Sequence, residues 1–121
     1  ADVVIFAAAV ADYAPANPSP TKIKKKDEKL TLQLTKNPDI AATLGANKRD
    51  GQVHIGFALE TNDEAQNAET KRQSKNFDFV VLNTLRDQGA GFGHDTNRIS
   101  ILDGKGTYVF PLKPKKEVAK D

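Results

Sequence analysis

A chain of 121 residues, 38% hydrophobic and 28% charged, has the size and composition of one soluble globular domain or a part of one, and its formal net charge of +2 is too small to argue for nucleic acid. No apolar run approaches the roughly 18 residues of a membrane helix, and the first residues lack the basic n-region of a signal peptide, so a cytoplasmic location without a membrane partner is expected. With no cysteine, and with His54 and His94 as isolated histidines, disulfides, thiolate catalysis and cysteine-ligated zinc are excluded, and any metal must be a hard ion on oxygen ligands.

Asp2 to Ala9 is a continuous apolar run with β-branched residues, which suits a strand buried on both faces. The chain opens inside that run, so the expectation is a sequence that starts partway into a larger domain. Pro15 to Thr21 carries three prolines and reads as an extended linker. Lys22 to Lys26 and Leu30 to Thr35 read as a β-hairpin arm, with Leu30, Leu32 and Leu34 as one apolar edge that must dock on the body or on a partner chain. Asn37 fits a helix N-cap, Pro38 the first helical position and Asp39 the first turn, with Ile40, Ala41 and Leu44 facing inward before Gly45.

Val53 to Leu59 is the next strand. Thr61 to Glu64 caps a polar helix that runs to about Lys75, with Ala65 and Ala68 as its apolar contacts. Phe77 to Leu82 is a third strand, ending at Asn83-Thr84. After a glycine-rich loop from Gln88 to Asn97, Arg98 to Leu102 and Thr107 to Leu112 flank Asp103-Gly104-Lys105-Gly106 as a hairpin. Lys113 to Asp121 reads as a frayed, basic tail. This order is that of an α/β fold: a Rossmann-like, mostly parallel sheet with a protruding β-hairpin arm at about residues 20–36 and a C-terminal hairpin at the sheet edge.

An apolar run that stops at small residues marks the strand end where open α/β sheets hold ligands. Asp12, just past that run, fits a ribose or base-amine contact, a magnesium ligand, or a cap on local backbone. Lys22, Lys24, Lys25 and Lys26 suit a lid over phosphates and equally a solvated hairpin tip. Asn37 to Ile40 opens a helix whose N–H groups are free for an anion or a base edge. Gly56-Phe57-Ala58 places a glycine where something approaches the strand, and Phe57 is either a stacking face or core. Lys71 and Lys75 lie four apart on one helix face beside Arg72, so their ammonium groups can reach one phosphate or simply form a solvated basic face.

In combination these segments are more specific. The order A-A-V-A-D-Y (Ala8 to Tyr13), K-I-K-K (Lys22 to Lys25), K-N-P-D-I (Lys36 to Ile40), G-F-A-x-E-T (Gly56 to Thr61), K-x-x-x-K-x-x-D (Lys71 to Asp78) and Asn83-Thr84 resembles the phosphopantothenate–cysteine ligase family. In many bacteria that ligase is the C-terminal half of a bifunctional coenzyme A biosynthesis flavoprotein. The resemblance reaches to about Leu112. It implies that magnesium-bound CTP is attacked by the carboxylate of 4′-phosphopantothenate, and that L-cysteine then displaces CMP from the acyl-cytidylate.

By the same resemblance, Phe6, Ala7 and Ala8 form the strand-end wall of the nucleotide site and Asp12 contacts CTP. Lys22 is the catalytic lysine of a mobile lid. Asn37, Pro38, Asp39 and Ile40 line the nucleotide pocket, and Phe57, Lys71 and Lys75 complete it. The resemblance also implies a homodimer formed through the arm, with FMN confined to a fused decarboxylase domain outside this chain. Family members carry a glycine-rich turn and an asparagine upstream of the opening strand. Neither is present in these residues, so this portion of the ligase domain is expected to be inactive or weakly binding alone. Two other classes fit less of the sequence: a non-catalytic nucleotide-binding module, and a dimeric nucleic-acid-binding domain that the near-neutral charge disfavours.

Overall fold

The computed structural model describes residues 1–24, 28–60, 62–84 and 93–121. Among them nine strands and three helices follow in order: β1 (Val3–Phe6), β2 (Tyr13–Pro15), β3 (Leu34–Lys36), α1 (Ile40–Ala46), β4 (Val53–Glu60), α2 (Glu64–Ser74), β5 (Phe79–Thr84), β6 (Thr96–Asn97), β7 (Ile99–Leu102), β8 (Thr107–Val109), β9 (Lys113–Pro114) and α3 (Lys115–Val118). The main sheet has the order β1-β4-β5-β7-β8. β1, β4 and β5 run parallel, with Ile5 opposite Ile55 and Ile55 opposite Phe79. β7 and β8 form the expected hairpin and add antiparallel, with Leu82 opposite Ser100 and Ile101 opposite Tyr108. Parallel neighbours need crossovers, and α1 and α2 lie in the two that link β1 to β4 and β4 to β5. The result is an α/β, Rossmann-like, mostly parallel sheet.

The core is built from Ala58, Ala68, Phe77, Val80, Leu82 and Leu102, with Phe6 and Ala41 packed against it. Gly56 is there because the Phe77 ring is: a Cβ on Gly56 would lie 2.2 Å from that ring, closer than any packed carbon approaches. Burying a phenylalanine in that slot stabilises the fold by about 1.5–3 kcal/mol. Phe6 continues the stack, 5.1 Å from Phe77 and 5.5 Å edge-on to buried His54. Asp78 fixes the register of β4 and β5 by accepting from His54 N at 2.6 Å and Lys48 Nζ at 2.7 Å. Burial pushes the Asp78 carboxyl up, but these two donors outweigh it and leave the group below its usual range.

Several expectations need correction. β1 is shorter than Asp2 to Ala9 and is not buried on both faces, since Val3 and Ile5 are 54% and 60% exposed. Among the described residues it pairs only with β4 and forms one edge of this sheet. The arm's ladder is nearer its base than expected: Tyr13 pairs with Lys36, Ala14 with Thr35 and Pro15 with Leu34. One more bond, from Ala16 N to the Gln33 carbonyl at 2.9 Å, ends it. Pro18 and Pro20 have no N–H to extend the rungs, and Lys22–Lys24 and Leu30–Gln33 are not strand. Lys25 and Lys26 of the expected arm lie outside the described residues, as do Thr61 of the helix cap and the first half of the glycine-rich loop, residues 88–92.

The cap of α1 is Asp39, not Asn37: Asp39 Oδ1 accepts from Ala42 N at 2.9 Å. Its inward face is also shifted. Ile40 is 56% exposed and Leu44 is exposed too, while Gly45 is buried. A Cβ on Gly45 would stand 2.1 Å from the Lys75 carbonyl oxygen, so the helix turns its smallest residues, Ala41 and Gly45, toward the body and larger ones fall outside.

α2 begins at Asp63, whose backbone is left-handed (φ 44°) and whose side chain caps nothing. Of its two alanines only Ala68 is buried. The half-buried positions continue instead through Lys71 and Arg72 and, at the C-cap, Lys75. Lys113 to Asp121 is not a frayed tail. β9 pairs with β6, α3 follows, and Lys113 Nζ meets Asp121 at 2.6 Å.

Candidate functional site

The parallel strands end on one side of the sheet, and there the chain leaves β1 through Ala7–Asp12 without regular structure. Two bonds from Asn37 fasten this passage to the arm. Its backbone N–H donates to the Asp12 carbonyl and its Nδ2 to the Ala11 carbonyl, both at 2.8 Å. This is the work of Asn37 in place of a helix cap. Between the passage, the start of α1 and the basic stripe of α2 lies a cavity of about 610 Å³, within the size range of small-molecule sites.

Every residue expected in the nucleotide site except one lines that cavity: Phe6, Ala7, Ala8 and Asp12 from the end of β1, Asn37, Pro38, Asp39 and Ile40 before and at the start of α1, Phe57 from β4, and Lys71 and Lys75 from α2. The exception is Lys22, exposed on the arm and not part of the lining. Two polar lining residues, Lys36 and Asn83, are not among the expected site residues. Both stand in the quoted segments K-N-P-D-I and N-T. No local signal said that the last residue of β3 would face the same hollow as α2.

The electrostatics of the wall follow from its hydrogen bonds. Lys71 Nζ donates to the Phe57 carbonyl at 3.0 Å, which holds the ammonium at the cavity and leaves two of its three N–H groups for a ligand. Lys75 Nζ stands 3.3 Å from Asp39 Oδ2. The Ala42 N–H is the largest influence on the Asp39 carboxyl and, with lesser help from Lys75 and the nearby charge of Lys36, it outweighs the upward push of burial and holds the group below the usual carboxylate range. Lys36 has no ion-pair partner among the described residues, and neither has the Asp12 carboxylate. The floor is apolar: alanines, Pro38, Ile40 and the partly exposed Phe57 ring. Three ammonium groups beside an apolar floor suit a ligand with a multiply charged anionic end and a flat, weakly polar body.

Other titratable clusters are structural. Glu69 is held at about 2 by hydrogen bonds from Arg72 and Gln73, and the Arg72 guanidinium lies under Gly104 in the β7–β8 turn. Among the described residues no group of three or more His, Cys, Asp or Glu is placed to hold a metal ion, and no helix is long and apolar enough to cross a membrane.

Comparison with known proteins identifies the family of the chain. The profile of the family described as the DNA/pantothenate metabolism flavoprotein C-terminal domain matches residues 1–121. A "Cysteine/Cysteine sulfinic acid decarboxylase" from an unknown prokaryotic organism is 50% identical over 121 residues, which are 99% of this chain and 34% of that protein. The coenzyme A biosynthesis bifunctional protein CoaBC of Bacillus subtilis is 44% identical over 119 residues, 98% of this chain and 29% of that one. Among solved structures, the C-terminal domain of a coenzyme A biosynthesis bifunctional protein CoaBC superposes with a TM-score of 0.70 at 35% identity, covering 98% of this chain and 50% of that one. The chain thus spans about a third of the length of the curated relatives it matches.

Proposed function

Since the chain belongs to the DNA/pantothenate metabolism flavoprotein C-terminal domain family, we propose that its parent protein serves coenzyme A biosynthesis as a CTP-dependent ligase joining 4′-phosphopantothenate to L-cysteine. The observation that carries this reading is the convergence of Lys36, Lys71 and Lys75, from two separate segments, on one cavity beside Asp12 at the end of β1. In the proposed reaction a carboxylate oxygen of 4′-phosphopantothenate attacks the α-phosphorus of CTP and pyrophosphate leaves. The cysteine amine then attacks the acyl carbon, loses a proton, and CMP departs. Neither step needs a nucleophilic side chain. Both need positive charge where anions approach one another, and each ammonium–phosphate hydrogen bond is worth about 1.5–3 kcal/mol.

Within this reading Lys71 and Lys75 receive the triphosphate, Phe57 offers its exposed ring to the base, and Pro38 and Ile40 close the apolar side. Magnesium enters with the nucleotide as part of the substrate, neutralising phosphate charge. Asp12 is the one lining carboxylate without a protein partner among the described residues, which fits an ion that keeps most of its shell as water and phosphate oxygen. Lys22 acts from the arm on the acyl-cytidylate, and a second copy of the chain covers the exposed Leu30, Leu32 and Leu34. Any flavin belongs to another part of the parent. The decarboxylase name of one relative belongs to a protein of which this chain covers only a third, and it is not carried over to this chain.

Pyrophosphate release by the full-length protein tests the proposal, with CTP or ATP, with and without 4′-phosphopantothenate and cysteine. Release that requires CTP and 4′-phosphopantothenate, with CMP appearing only when cysteine is added, is expected. Saturable nucleotide binding without any pyrophosphate would make the module a sensor and reject the ligase.

A further inference from the structure

Two of the crevice ammonium groups are engaged by the protein itself, and they are engaged differently. Lys71 donates to a neutral carbonyl, that of Phe57, and can share itself with a phosphate. Lys75 faces a full negative charge on Asp39, which competes with any anion for it. Asp39 cannot simply turn aside, because its other oxygen accepts from Ala42 N at 2.9 Å as the cap of α1. Lys75 is similarly confined, standing at the C-cap of α2 with its side chain 25% exposed.

We propose that Asp39 is a positioning residue for Lys75: an internal counter-anion that holds the ammonium at the crevice wall, competes with an incoming polyphosphate for it, and takes it back as pyrophosphate leaves. The proposal rests on the ligase reading only in taking the polyphosphate to be that of a nucleotide. It assigns to Asp39 the opposite of a binding contribution. The crevice binds triphosphate less tightly with Asp39 than without it.

Asparagine caps helices as well as aspartate, so Asp39→Asn removes the charge and keeps the cap. The test titrates the full-length wild type, Asp39→Asn, Lys75→Gln and the double variant with tripolyphosphate and with CTP by calorimetry. A half-exposed ion pair of this kind predicts tripolyphosphate binding about two- to fivefold tighter in Asp39→Asn. Binding should be weaker in Lys75→Gln, and the double variant no tighter than Lys75→Gln alone, because the gain passes through Lys75. Asp39→Ser, another good cap, should show the same gain should the asparagine variant fold poorly.

A purely structural Asp39 would lower the melting temperature and leave affinity equal or weaker, and that outcome overturns the proposal. So does a gain that persists without Lys75. Wild type that binds tripolyphosphate but no CTP rejects the nucleotide reading while Asp39's part stands on the tripolyphosphate cycle. Wild type that binds neither ends both.

Discussion

The sheet body and the arm are held together in different ways. In the body, side chains and backbone meet with no slack: the Phe77 ring occupies the space of an absent Gly56 side chain, and the Lys75 carbonyl that of Gly45. In the arm three paired rungs and the Ala16–Gln33 bond make the stem, and the three leucines beyond or beside it are exposed. A packed body holds ligand groups within fractions of an ångström, whereas an arm on a short ladder can present a group without fixing it. The residues proposed for ground-state nucleotide binding belong to the first kind. The lysine proposed to act on the intermediate belongs to the second.

That contrast can be broken at the lysines first. Lys71→Gln or Lys75→Gln should weaken CTP binding by about 10- to 100-fold, the loss of one charged hydrogen bond. Lys22→Gln should leave CTP affinity near wild type and slow the cysteine-dependent step, as read by CMP release after a pyrophosphate burst. Equal losses of CTP affinity at positions 22 and 71 would erase the distinction between wall and arm.

Next in size is packing. Gly45→Ala forces a methyl group against the Lys75 carbonyl and should cost about 1–3 kcal/mol, seen as a melting temperature lower by about 5–10 °C. An alanine tolerated there would mean that α1 is not seated on the body as described. Leu32→Ser in the arm should cost the fold of one chain no more than about 0.5 kcal/mol. Its effect should appear in sedimentation as loss of self-association, and an unchanged dimer would remove the arm from the interface.

The smallest effect is electrostatic. Glu69, Asp39, Asp78 and Asp103 all have carboxyls held below their unfolded values. A depressed folded value means that the stabilisation is complete above the unfolded range and fades as pH falls through the folded value. Acid unfolding should therefore set in only as pH drops below about 4. Glu69→Gln should flatten the limb between the usual glutamate value of 4.5 and about 2, and an unaltered pH–stability curve would show that pair to be inconsequential.

What the sequence made legible divides along the same line. The strands β4, β5 and β7, the helix α2 and the closing hairpin follow from local periodicity and turn residues, which is why they stand close to where they were expected. Asn37 does not serve as the expected cap because its amide goes to Ala11, 26 positions away, and the cap is Asp39. Ile40 and Leu44 looked like an inward face until a close approach by the Lys75 backbone reserved that face for Ala41 and Gly45. Lys113 to Asp121 looked unstructured because its partners, in β6 and at the chain's own end, are not neighbours in sequence. The crevice was legible through a combination of short segments, each weak alone. Lys36 was not, because no helical or strand spacing relates it to Lys71 and Lys75.

The double fastening at Asn37 has a mechanical consequence. Since it ties the passage after β1 and the foot of the arm into one joint, the stem is part of the crevice wall and cannot rotate without tearing that wall open. An arm that closes must bend like a wrist beyond the Ala16–Gln33 rung, and from Ala16 the extended chain carries Lys22 a reach of about 20 Å. In the proposed reaction, that lysine would thus be delivered and withdrawn while the bed proposed for the triphosphate stays still.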